Sequence, residues 1–135
     1  MVAARERGSG VASTLARIAL INVLVKEDPL HRKAKVIAHV LVGNDKPRDL
    51  IQHALRFGYV RRESYPSEML PGLPSNTDGK VEGDLFTLTG ESLASLINWC
   101  NQAPAHLKDG RPLNVQFGAG FTFSVLSAAL RGMSV

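Results

Sequence analysis

The stretch from Asp84 to Pro104 constrains the fold more than any other part of the chain. Asp84-Leu-Phe-Thr-Leu-Thr89 alternates as a strand does. At Thr89 the pattern changes. Leu93, Leu96, Ile97 and Cys100 follow at i, i+3, i+4 and i+7, the stripe of an amphipathic helix. Thr89 can cap that helix, Glu91 falls in the first turn where the helix dipole favours a negative charge, and Pro104 lies beyond its end. A strand running straight into an amphipathic helix points to the α+β class, and 135 residues suit a single core.

The remaining elements are read from the same signals. Leu15 to Val25 is apolar at almost every position, and alternation and helical spacing fit it equally; its β-branched residues lean it towards strand. Pro29 marks a turn, and Val36–Val42, closed by Gly43-Asn44-Asp45, reads as a strand that would pair with the first run in a hairpin. A helix is expected over 46–57, with Asp45 as N-cap, Pro47 in the first turn, Gly58 as the stop and Leu50, Ile51, Ala54 and Leu55 as its apolar stripe. Residues 63–83, rich in Pro, Gly, Ser and Asn, read as a long central loop. Asp109-Gly110 is a turn, Leu113–Phe117 a strand, Gly118-Ala-Gly120 a second turn, and Phe121–Leu130 starts strand-like and finishes helical. The expected whole is a flexible N-terminus over 1–12 and one compact α+β domain over 13–135. That domain would combine antiparallel strands, two main helices and a C-terminal strand pair.

Composition narrows the function classes. No apolar run is long enough to span a bilayer, and the N-terminus, with Arg5, Glu6 and Arg7 before Gly8, does not read as an export signal. A single cysteine excludes an intramolecular disulfide, and a reduced thiol suits the cytoplasm. Cys100 lies on an apolar helix stripe with no cation nearby, which favours a buried structural thiol over a nucleophile. The four histidines, at 31, 39, 53 and 106, form no metal-ligand pair, and the glycines at 118 and 120 lack the third of a dinucleotide fingerprint. Neither metal nor cofactor is expected.

Charge is distributed unevenly. Residues 1–62 hold 12 Lys/Arg and 5 Asp/Glu, a net of +7, whereas residues 63–135 hold 4 and 7, a net of −3. A basic half of this kind attracts polyanions, nucleic acid first among them. Arg32, Lys33, Lys35, Arg48, Arg56, Arg61 and Arg62 are the candidate phosphate contacts, and Tyr59, with Tyr65 flanking the second cluster, offers a stacking face. The leading expectation is a non-enzymatic binding or adaptor protein. A structural homo-oligomer pairing edge strands through Phe121–Leu130 is a further reading.

Gly90-Glu-Ser-Leu-Ala-Ser-Leu-Ile97, Asp109-Gly-Arg111 and Phe117-Gly-Ala-Gly-Phe-Thr-Phe123 together resemble the C-terminal end of β-ketoacyl synthase III, a thiolase-like fold. The resemblance covers residues 90–131. It implies a helix, a strand, a glycine turn and a strand in that order, and a site for an acyl thioester or small ligand lined by His53 and Glu91. Glu91 stands where that family has its catalytic Asn, and Cys100 does not match the family's nucleophile. The implied role is therefore ligand binding without condensation.

Overall fold

A computed structural model of the chain describes residues 10–25, 35–66, 68, 72, 79–115, 117 and 121–135. Their order is α1 (Val11–Val25), β1 (Ile37–Leu41), α2 (Asp45–Asp49, continuing as a π-helical turn over Leu50–Ala54), β2 (Gly58–Pro66), β3 (Lys80–Thr87), α3 (Gly90–Asn101) and α4 (Phe123–Arg131). The strands form one antiparallel sheet in the order β1-β3-β2. The fold is α+β, as the Asp84–Pro104 stretch predicts, although among the described residues four helices accompany the sheet instead of two.

Tertiary packing settles the element that periodicity leaves open. Leu15–Val25 belongs to helix α1, and the expected N-terminal hairpin does not form. Gly10, at φ +89°, starts the helix: its carbonyl accepts from the Thr14 amide at 2.9 Å and from the Ser13 hydroxyl at 3.1 Å. Burial of Leu20, Ile21 and Leu24 outweighs the strand preference of the β-branched residues around them. Residues 11 and 12, expected to be flexible, are its first turn.

Helix α2 starts one residue earlier than expected: Asn44 holds the N-cap position and Asp45 is helical. It does not run to Gly58. The turn ends at Arg56, whose φ of +59° is the left-handed stop that glycine normally supplies. Gly58 has another task. A Cβ built there would meet Thr89 Cγ2 at 2.9 Å, so its lack of a side chain lets β2 pass the start of α3. Thr89 caps α3 as predicted, in a reciprocal box with Ser92, and Ser92 Oγ also donates to the Arg56 carbonyl at 2.8 Å.

Two further expected strands are not found among the described residues, and one expected loop is shorter. Residues 113–115 are irregular: the chain after α3 makes an open turn closed by Leu113 N to Ala105 O at 2.8 Å and Leu107 N to Arg111 O at 2.9 Å, with the predicted Asp109-Gly110 turn at its tip. Phe121–Leu130 yields helix α4, capped by Thr122, so the C-terminal strand pair is replaced by helix packing of α4 on α3. The Gly118–Gly120 turn lies outside the described residues, as does most of 67–79. Residues 63–66 and 80–83, counted as loop from composition, are strand.

The core gathers on one face of the sheet. Phe86 and Val40 meet Ile21 and Leu24 of α1, Leu55 and Phe57 after α2, Leu93, Leu96 and Cys100 of α3, and Leu126 and Leu130 of α4. Cys100 is 1% exposed, and burial pushes its thiol pKa up, consistent with a structural thiol. No described helix is long and apolar enough to cross a membrane.

Candidate nucleic-acid interface

Strand β2 is an edge of the sheet and is exposed along most of its length. Its pairing with β3 is interrupted between Tyr59 and Arg61, where Val60 is the extra residue of a bulge. Register then assigns the side chains to faces. Tyr59 opposite Phe86 and Arg62 opposite Asp84 share the core face; Arg61 opposite Leu85, Glu63 opposite Gly83 and Tyr65 opposite Val81 share the open face. The two adjacent arginines thus point to opposite sides of the sheet.

On the core face, Asp84 is buried at 1% exposure yet fully partnered. Arg48 Nη2 donates to it at 2.6 Å and Arg62 Nε at 2.8 Å. Arg62, then Arg48, holds its carboxyl below the ordinary aspartate range, against the opposing effect of burial. The Arg48 guanidinium also lies 5.7 Å over the Phe86 ring, with Tyr59 set edge-on to the same ring at 5.7 Å. Arg62 reaches Glu82 as well, at 3.6 Å.

On the open face, four side chains form a chain of hydrogen bonds. The Tyr65 hydroxyl donates to Glu63 Oε2, so His39 Nδ1, 2.6 Å from that hydroxyl, acts as its donor. Arg61 Nε donates to Glu63 Oε1 at 3.0 Å. The Tyr65 bond, then Arg61, keeps Glu63 below the usual glutamate range. Desolvation, followed by the neighbouring Glu63, pushes the Tyr65 phenol up to about 12. The ring of Tyr65 reaches β1 by lying across Gly83, where a Cβ would stand 3.7 Å from it.

The eight residues singled out from sequence therefore separate. Arg32 and Lys33 lie outside the described residues. Arg48 is turned inward onto Asp84, its side chain only 23% exposed. Arg61 and Arg62 keep side chains 65% and 52% exposed, the first held by Glu63 on the open face and the second by Asp84 on the core face. Tyr59 is 54% exposed. Lys35 and Arg56 are exposed, and among the described residues neither makes an ion pair. Sequence reasoning missed His39, Glu63 and Asp84 as partners of the basic cluster; reading 58–66 as a strand would have placed Glu63 and Tyr65 on one face. His53 and Glu91, which the thiolase-like resemblance pairs, are both exposed, on the π turn and the first turn of α3. Among the described residues no cluster of three or more metal-type side chains occurs.

No protein-family model, curated protein or solved structure matches the chain.

Proposed function

We propose that the protein is a non-enzymatic nucleic-acid-binding module that uses strand β2 and the Arg56 turn beside it. The observation that carries this reading is the outward placement of Arg61, Arg62 and Tyr59 on one exposed edge strand. Carboxylates on either face of the sheet, Glu63 for Arg61 and Asp84 for Arg62, hold the two guanidinium groups while leaving N–H donors exposed for phosphate, and a half-exposed tyrosine offers a face for a base. Helix α2 contributes little, because Asp45 and Asp49 stand beside Lys46 on it. The footprint is small, and single-stranded RNA or DNA suits it because unstacked bases can reach a single tyrosine.

Anisotropy titration of short single strands at several salt concentrations tests the reading. Two or three phosphate contacts give a log–log salt slope of about −2. Arg61→Glu combined with Arg56→Glu is expected to abolish binding at low salt with the thermal midpoint nearly unchanged. Binding that ignores both substitutions overturns the proposal. Arg62 is the wrong residue to reverse, since a glutamate there would face the buried Asp84.

A further inference from the structure

The sheet has two outer edges, and they are built differently. β2 carries the devices that keep an edge from pairing: the bulge at Val60, the charged run Arg61-Arg62-Glu63, and Pro66 at its end. β1 carries none of them. Ile37-Ala-His-Val-Leu41 contains no arginine, lysine, carboxylate or proline, and its register with β3 is unbroken from Ile37 opposite Thr87 to Leu41 opposite Gly83. Among the described elements only β3 packs along it. Ile37 and the adjoining Val42 are left 49% and 47% exposed.

The bonds at the two ends of β1 fix the direction of its backbone groups. Leu88 N donates to Val36 O at 2.8 Å and Val42 N to Glu82 O at 3.0 Å, so the even-numbered residues from Val36 to Val42 turn their N–H and C=O groups towards β3. Those of Ile37, His39 and Leu41 point outward. Leu41 O accepts from Asn44 N at 3.1 Å; among the described residues the backbone groups of Ile37 and His39, and Leu41 N, have no partner. Set against a second copy, antiparallel and centred on His39, the strand complements itself. His39 N–H meets the other copy's His39 C=O, and Leu41 N–H its Ile37 C=O, each twice through the two-fold axis. On the open face Ile37 stands opposite Leu41; on the core face Val36 stands opposite Val42 and Ala38 opposite Val40, all of them apolar. The ends also match in charge. Lys35 of one copy lies alongside the far end of the other, where the first charged residue after the strand is Asp45; among the described residues neither has an ion pair.

We infer that β1 is a homodimer edge: two copies pair antiparallel about His39 into one continuous sheet, with the two β2 strands at its outer ends. The interface lies on the edge opposite β2 and stands whether or not the protein binds nucleic acid. A contact one strand wide buries little area, so the dimer is weak and depends on concentration.

Sedimentation velocity of the full chain, from low to hundreds of micromolar, tests the inference. A reversible shift from monomer to dimer mass is expected. Amide exchange supplies the position: His39 and Leu41 N–H gain protection as dimer accumulates, while Arg62 and Ser64 N–H, which point outward from β2, do not. Ile37→Lys sets a charge beside the other copy's Leu41 and weakens the dimer at least tenfold; Ile37 is half exposed, so the thermal midpoint of the dilute protein stays nearly unchanged. Lys35→Glu and Asp45→Lys each weaken the dimer severalfold and together restore it, which reports the antiparallel register. The inference is overturned by a monomeric mass throughout, by protection at Arg62 and Ser64 in place of His39 and Leu41, by an Ile37→Lys protein that dimerises as the parent does, or by losses at 35 and 45 that simply add. Loss of the dimer on Val125→Glu, with Ile37→Lys without effect, would place the contact on α4 and likewise overturn it. A monomeric mass leaves the oligonucleotide reading of β2 standing, and failure of oligonucleotide binding leaves the dimer standing.

Discussion

The two faces of the sheet each carry an arginine–carboxylate pair, with the arginines supplied by adjacent residues of β2. On the core face, Asp84 is enclosed by Arg48, Arg62 and the Phe86 ring. On the open face, Glu63 joins Arg61, Tyr65 and His39 above Gly83, where side chains remain within reach of water. A buried carboxylate with two guanidinium partners is costly to break, whereas an exposed pair adds little to stability and leaves its cation free for a partner. The same residue types therefore brace the fold on one side and stay open to solvent on the other.

The largest effect should come from the buried side. Asp84→Ala strands Arg48 against the core and is expected to cost about 3 kcal/mol in urea unfolding. Asp84 also sets an acid limit. Its folded pKa lies below its unfolded one, so the stability it contributes is complete above the usual aspartate range and is lost as pH falls through the lowered value. Denaturation midpoints followed down through the acid range should show a loss that the Asp84→Asn protein lacks. A steep acid loss in that variant would assign the limit elsewhere.

Gly58→Ala comes next. The added methyl meets Thr89 Cγ2, and the expected penalty is roughly 1–2 kcal/mol, with Thr89→Ser in the same chain restoring part of it. On the open face the response is spectroscopic. Phenolate absorbance should show one tyrosine ionising near 12, and Glu63→Gln should bring it down towards 10. Because the folded phenol is the weaker acid, its share of stability is present below about 10 and disappears as pH rises towards 12. The smallest effect separates the two roles: Arg56→Gly relieves a left-handed backbone, so stability holds or rises by up to about 1 kcal/mol while oligonucleotide affinity falls.

Local chemistry made some of this legible from sequence. The Thr89 cap, the stripe Leu93–Leu96–Cys100, the strand 37–41 and the Asp109-Gly110 turn depend on neighbours in the chain. Leu15–Val25 and Phe121–Leu130 were not legible, because their patterns admit both periods and only packing against α3, α4 and the sheet chooses. The charge asymmetry left its internal ion pairs out of view. Part of the basic excess of residues 1–62 is met by acids of 63–135: Arg48 and Arg62 reach Asp84 on β3, and Arg61 meets Glu63 two residues on in its own strand. Arg17, whose guanidinium lies 5.9 Å over the Trp99 ring, stayed hidden because in an undecided apolar run nothing marks which face will be buried.

The bulge at Val60 bears on how such a chain can change length over generations. Pairing resumes from Arg61 opposite Leu85 and has Tyr59 opposite Phe86, so Val60 alone has no counterpart in β3. Losing that one codon would leave every other pair in place, while a deletion elsewhere in β2 would carry side chains across the sheet. Along this strand, Val60 is where a lineage can shed a residue and still keep each arginine on its own side.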